Sequence, residues 1–199
     1  MMLTVRVFYL PYDPVMTLFQ NQYRVESTRL ADWDYASRGW YFVTLCTRDK
    51  KCSLGHPVNG AIMLSDAGII AETEIKAIPS HYENVTIDRY AVMPNHLHAI
   101  IVIEADRAYS PVEARLAASP ARAHGQSLST IVGSYKAGVS RVCHANGLPG
   151  FAWQARFHDH ILRSNVSLNA VRDYIDQNPQ NWLLDPDNPA AKGLPRNSL

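Results

Sequence analysis

Apolar and polar positions along the chain change period several times, and each change marks an element. Residues 1–39 keep no clean period and read as an irregular N-terminal arm. The run Tyr41-Phe42-Val43-Thr44-Leu45-Cys46-Thr47 is rich in aromatic and β-branched residues and predicts a strand. Residues 48–60, with Lys, Asp, Gly and Pro, read as a loop. From Ser65 to about Ala77, apolar residues (Ile69, Ile70, Ile75) recur near helical spacing, with Ser65 or Asp66 as N-cap. Val85–Met93 and His96–Ile103 read as two further strands, and in the second Leu97, Ala99, Ile101 and Ile103 share one face. Pro94-Asn95 between them predicts an antiparallel hairpin.

Periodicity then lapses over 104–125, an Ala-, Pro- and Arg-rich stretch that reads as a mobile linker. Ser127 opens a long helix to about Ala145, with Leu128, Ile131, Val132, Tyr135, Val139 and Val142 on one side, ended by Gly147, Pro149 and Gly150. Arg156–Leu162 reads as a fourth strand. Ser167 is placed to cap a last helix through Leu168, Val171 and Ile175, stopped by Pro179, and the residues after Trp182 (183–199) form a polar, Pro-rich tail. The order β-α-β-β-α-β-α predicts an α+β fold. It is a split βαβ, ferredoxin-like antiparallel sheet with helices on one face, plus a C-terminal helix, in a single domain over 1–199.

Composition narrows the class without choosing a function. The chain has 199 residues, 47% hydrophobic and 19% charged, which suits one globular domain. A net charge of +1 neither favours nor excludes a nucleic-acid partner; only a local basic patch bears on that. Cys46, Cys52 and Cys143 form no CxxC pair and are too few for a disulfide framework. No apolar run is long enough to span a bilayer and no signal-peptide order opens the chain, so the expected location is cytoplasmic, without membrane contact.

Two groups of residues carry candidate chemistry. His96 and His98 lie one residue apart on a strand, so both imidazoles point to one face, where two neutral rings can chelate one divalent cation. Ile100 and Val102 continue that face, which is expected to be partly wet. Two ordinary histidines at a strand end give the same pattern. In the last helix Tyr174 and Asn178 are four apart, hence on one face, although Pro179 is expected to draw Asn178 away from helical geometry. A phenol with a pKa near ~10 attacks phosphorus poorly unless a cation polarises the phosphate. An amide oxygen such as that of Asn178 suits a hard cation. A rim tyrosine and a helix C-cap are the structural alternatives.

Taken in order, several strings carry a family resemblance. They are Trp33-Asp34-Tyr35, Tyr41 to Thr47, Val92-Met93-Pro94-Asn95-His96-Leu97-His98, Trp153-Gln154, His160-Ile161-Leu162-Arg163, Tyr174-Ile175 and Asn178-Pro179. Together they resemble the REP-associated tyrosine transposases, within the wider single-tyrosine HUH transposases, over about residues 29–184. The resemblance implies that His96, His98 and Asn178 hold Mg²⁺ or Mn²⁺ and that Tyr174 is the nucleophile. The implied reaction is cleavage and strand transfer of single-stranded DNA through a 5′-phosphotyrosine, with hairpin-forming palindromic repeats as target. That would place the protein with the nucleoid. The stretch 104–125 is longer and richer in Ala and Pro than the family pattern.

DNA contacts would fall to basic and aromatic residues: Arg48, Lys136, Arg141 and Arg163, with Trp153 as a stacking surface and Lys50, Arg156 and Phe157 as further candidates. Lys136 and Arg141 lie on the long helix, where the resemblance suggests DNA binds. His160 matches a family position, either as a DNA contact or as a hydrogen-bonding support for the site. Family members include dimers, so a homodimer is an open expectation. Three rival functions share parts of this pattern. A nucleotide-hydrolysing HxHxH enzyme needs a third histidine where Ile100 stands. A non-catalytic single-stranded DNA or hairpin-binding protein of the same fold accounts for every feature except the need for the Tyr174 hydroxyl. A plain structural domain predicts no stabilisation by added metal.

Overall fold

The strand His96–Ile103 is buried at all eight positions, and this fixes the architecture. A strand exposes alternate side chains on opposite faces, so burial throughout requires cover on both sides of the sheet. The computed structural model describes residues 33–104 and 126–191, together with the short paired segments β1 (Leu18–Phe19) and β2 (Gln22–Tyr23). The stretch expected to be a linker falls outside the described residues except for Glu104. The chain divides into two compact units, Met1–Ala31 and Asp32–Leu199. The second holds everything that follows.

Its sheet is formed by β3 (Gly39–Cys46), β6 (Val85–Val92), β7 (His96–Ile103) and β8 (His158–Leu162), in the order β6-β7-β3-β8 and antiparallel throughout. This is the ferredoxin-like order predicted from the element sequence. Helices α1 (Asp66–His81) and α2 (Leu128–Ala145) supply Ala71, Ile75, Ile131, Val132 and Val139 to a core shared with Leu97, Ala99, Ile101 and Ile103. The opposite face carries His96, His98, Ile100 and Val102. It is closed by α3 (Asn165–Gln177), whose Leu168 and Ile175 pack with Ile100, Val102, Leu162 and Met93. The histidine face is therefore not partly wet, as its pattern suggested: Trp182 and α3 seal it.

Several boundaries differ for local reasons. Ser164, not Ser167, caps α3: Ser164 Oγ accepts from Ser167 N–H at 3.2 Å and Ser167 Oγ accepts from Ser164 N–H at 3.3 Å, a reciprocal box that starts the helix three residues earlier. Within 48–60 lies the first strand of a hairpin, β4 (Gly55–Val58) and β5 (Ala61–Leu64). Its turn is Asn59-Gly60, both at positive φ, the two-residue turn that suits the twist of paired strands. Its short flanks and Pro57 hid it. The helix α1 is pinned close against Leu54: a Cβ on Gly68 would lie 1.9 Å from the Leu54 carbonyl oxygen. Its cap, Ser65 Oγ, accepts from Gly68 N–H and donates to Ser53 O. Trp33 and Tyr35, expected in the N-terminal arm, pack on the α1/α2 core.

One irregularity aims the last helix. A bulge in β6 between Ile87 and Arg89 leaves Asp88 without a partner in β7. Asp88 accepts two hydrogen bonds from Arg172 of α3, at 2.8 and 2.7 Å, and the guanidinium lies 5.4 Å from the centroid of the Trp40 ring. Bulges characteristically re-aim a side chain in this way. The fork grips α3 two residues before Tyr174.

Candidate active site

The candidate site lies where the start of β7 meets the end of α3. His96 and His98 are 1% and 5% exposed, with ring centroids 4.4 Å apart. Each ring is oriented through its Nδ1. His96 Nδ1 is 2.9 Å from Asn95 Oδ1. The Asn95 amide cannot be the other way round, because its Nδ2 donates to the carbonyls of Lys50 at 3.1 Å and Asp187 at 2.7 Å. His96 therefore carries its proton on Nδ1 and presents an Nε2 lone pair. His98 Nδ1 lies 2.9 Å from Thr44 Oγ1, and its Nε2 lies 3.3 Å from the Tyr174 hydroxyl. Both contacts fit a proton on Nδ1, with Nε2 accepting from the phenol. Phe42 stacks on the His98 ring at 5.3 Å and fixes its tilt. Neither Thr44 nor Asn95 was singled out for this role from the sequence. The signal was there for Thr44, which sits opposite His98 in the β3–β7 register.

The electrostatics favour neutral groups. Burial lowers the His96 pKa to about 4 from 6.5, with Asp187 opposing and Lys50 adding to the fall. Burial, and then the neighbouring His96, push His98 well below its ordinary value. Both rings are thus uncharged bases near neutrality, the form that binds metal. The Tyr174 phenol is raised, first by burial and then by Asp185; the Asn178 side chain beside it works in the other direction, and Asp187 adds to the rise. Asn178 has helical φ and ψ of −56° and −43°, so Pro179 does not draw it off the helix and it stays on the face of Tyr174.

Two buried polar atoms in this group have no hydrogen-bond partner, His96 Nε2 and Asn178 Oδ1. Leaving such an atom unsatisfied costs about 1–3 kcal/mol. Such lone-pair donors, with a second imidazole nitrogen and a phenol oxygen nearby, suit a divalent cation with N/O preference. The C-terminal residues, expected to be a plain tail, complete the wall. After the 3₁₀ turn Trp182–Leu184, Asp185 Oδ2 comes to 3.9 Å from His96 Nε2, and Asp187 Oδ2 to 4.0 Å from His96 Nδ1. His96, Asp185 and Asp187 thus form a group whose ligand atoms lie within 4.8 Å of one another. Burial raises the Asp185 pKa to about 6 from 3.8. Sequence reasoning missed these carboxylates because nothing in a polar, Pro-rich stretch shows that it folds back 90 residues onto β7.

Of the residues expected to contact DNA, Lys50 reaches this spot through its ion pair with Asp187, and Arg48, Lys136, Trp153, Arg141 and Arg163 lie elsewhere. Arg48, Lys136 and Trp153 line a groove of about 510 Å³ on the α2 side of the sheet. Lys136 directs its ammonium to the carbonyls of Gln154, Ala155 and Arg156, which makes it a clamp on that loop. Trp153 is 7% exposed and packs edge-on against Phe151, so it belongs to the core and offers little stacking face. Arg141 is exposed on α2. The Arg163 guanidinium lies 5.4 Å from the centroid of the Trp33 ring. His160 is exposed on the edge strand β8, opposite Phe42 in register, and so on the histidine face. Among the described residues no helix is long and apolar enough to cross a membrane.

The chain is 35% identical over 162 residues to an uncharacterized protein of Haemophilus influenzae, covering 80% of this chain and 90% of that protein. The two belong to one family. No family model matches the chain. Among solved structures, a REP-associated tyrosine transposase bound to a REP hairpin is similar with a TM-score of 0.46 and 20% identity, over 76% of this chain and 72% of that one. A transposase-like protein of Deinococcus radiodurans R1 is similar with a TM-score of 0.40 and 11% identity, over 75% and 98%. At these values nothing of the chemistry follows from either likeness.

Proposed function

We propose that the protein cleaves and rejoins single-stranded DNA through a covalent phosphotyrosine, with a divalent cation, Mg²⁺ or Mn²⁺, held by His96, His98 and Asn178. The observation that carries this reading is the convergence of the Tyr174 hydroxyl, 3.3 Å from His98 Nε2, with the unpartnered buried atoms His96 Nε2 and Asn178 Oδ1. Tyr174 is 44% exposed, so its phenol borders both the buried ligands and solvent, where a strand of DNA can lie. A bound cation would polarise the scissile phosphate and favour the phenolate. Tyr174 Oη forms a bond to phosphorus and the bond from phosphorus to the 3′-oxygen breaks. The phenol gives up a proton to solvent, and the departing 3′-oxygen gains one. The product is a 5′-phosphotyrosine and a free 3′-hydroxyl. Attack by such a hydroxyl on the phosphotyrosine reverses the step and joins strands without consuming water or a nucleotide. Asn95 keeps His96 in the ligating tautomer, Thr44 orients the His98 ring, and the Asp88–Arg172 fork keeps Tyr174 over them.

Hairpin-forming repeats are the substrate class that the sequence motifs imply. The decisive experiment incubates labelled single-stranded hairpin oligonucleotides with Mn²⁺ and compares wild type with Tyr174→Phe on a denaturing gel. A covalent band in wild type alone is expected. Measurable binding with no band for several hairpins would instead favour a non-catalytic hairpin-binding protein.

A further inference from the structure

We propose that Asp185 is a further protein ligand of the active-site cation, so that the metal joins the C-terminal segment 182–188 to β7. This rests on the reading of His96 and His98 as metal ligands and adds to it a carboxylate from outside the histidine strand and the tyrosine helix.

The starting point is a pair of facing acceptors. Asn95 fixes the His96 proton on Nδ1, so Nε2 offers a lone pair and has no partner. The group that faces it is Asp185 Oδ2, at 3.9 Å, and both residues are buried, at 1% and 8% exposure. Two lone pairs facing each other at 3.9 Å in a largely buried place repel unless something electropositive lies between them. A lone proton does not span the gap, since hydrogen bonds of this kind close to roughly 2.7–3.2 Å. A divalent cation does: with bonds of about 2.0–2.1 Å to each ligand, two ligand atoms can stand as far as roughly 4.2 Å apart.

The position of Asp185 is held by contacts within the protein. Its Oδ1 accepts from Asp187 N–H at 2.7 Å, which leaves Oδ2 directed at His96. Trp182 is buried, and Asn188 Nδ2 donates to its carbonyl at 3.1 Å. The Asp187 carbonyl accepts from Asn95, and its carboxylate pairs with Lys50. Asp187 is not the ligand by the same reasoning. It approaches the Nδ1 edge of His96, where the proton is already given to Asn95, and its charge is met by Lys50. One polar face thus serves two ends: Asn95 ties the segment down at Asp187, and the cation ties it at Asp185.

Mn²⁺ binding to the full-length protein, read from the loss of the free-ion electron paramagnetic resonance signal, tests this without DNA. Asp185→Asn keeps the volume and removes the charge; His98→Ala removes a ligand of the underlying reading. The expected result is at least tenfold weaker Mn²⁺ binding for Asp185→Asn and loss of binding for His98→Ala. In wild type, Mn²⁺ should also slow amide exchange in 182–188, and in Asp185→Asn it should not, a readout that simple misfolding of the variant does not mimic. Mn²⁺ affinity within twofold of wild type in Asp185→Asn, while His98→Ala fails to bind, overturns the role of Asp185 and leaves the histidine site standing; a bridging water would then fill the gap. Wild-type affinity in both variants overturns the metal site itself.

Discussion

Asn95 makes the sharpest test of how the site is held. It is fully buried and spends its amide on three hydrogen bonds, at 2.9, 3.1 and 2.7 Å, to His96 Nδ1 and to the carbonyls of Lys50 and Asp187. Asn95→Ala removes all three together. Each is worth about 1 kcal/mol net, more where a buried partner is left unsatisfied, so the loss is about 3 kcal/mol. For a domain of this size that lowers Tm by roughly 6–12 °C. A second effect separates this residue from an ordinary buried polar group. Freed from Asn95, His96 can turn or move its proton to Nε2, and metal affinity should fall by about 10–100-fold, the usual effect of losing an outer-shell partner. Urea denaturation of the metal-free protein gives the first number and Mn²⁺ titration of the folded variant the second. A loss below about 1 kcal/mol with unchanged Mn²⁺ affinity would refute the reasoning, because it would mean that neither the tail contact nor the tautomer depends on this amide.

Four further outcomes follow from the structure. Thr44→Val removes the partner of His98 Nδ1 at nearly constant volume. It should weaken Mn²⁺ binding about tenfold while costing about 1 kcal/mol of stability, and equal affinity in the two proteins would argue against it. Gly68→Ala would place a Cβ 1.9 Å from the Leu54 carbonyl oxygen and should cost about 2–3 kcal/mol by overpacking. Gly133→Ala meets nothing within 4 Å in α2 and should stabilise by about 0.5–1 kcal/mol, and thermal melts of the pair check both signs. In metal-free protein, the His96 pKa of about 4 against 6.5 means that the unfolded chain binds protons first as pH falls through that window, so this group loses stability toward acid. His98, lowered in the same direction, adds to that loss. Asp185, raised to about 6 from 3.8, works oppositely: its share is present below 3.8 and lost as pH rises through 6. The two effects offset each other, and Asp185→Asn should make urea stability fall more steeply between pH 7 and 5 than in wild type; an identical slope would contradict the assignment.

Much of the frame is written in local pattern. The alternation of Leu97, Ala99, Ile101 and Ile103 against His96 and His98 settles which face of β7 meets α1 and α2, because strand side chains alternate whatever surrounds them. The order of elements fixes the β6-β7-β3-β8 sheet, and the spacing of Tyr174 and Asn178 puts them on one helical face. These features depend on residues within a few positions of one another. The caps were legible to the same depth. Ser127 follows from sequence and Ser65 was one of two candidates beside Asp66, while the choice of Ser164 over Ser167 turned on a reciprocal hydrogen bond that a one-residue reading does not see.

What the tertiary structure alone decided concerns contacts between distant residues. Asp185 and Asp187 are polar residues in an unpatterned tail, and only folding brings them to His96. Lys136 and Trp153 read as candidate DNA contacts by residue type, and packing made one a clamp on carbonyls and the other a core residue. Asp88 owes its grip on Arg172 to a bulge that no propensity marks. The physical reason is common to all of them. Periodicity reports which face of an element is buried, because burial depends on local geometry and on water alone. The partner a polar group finds is set by where other elements come to rest, and that is decided only when the whole chain packs.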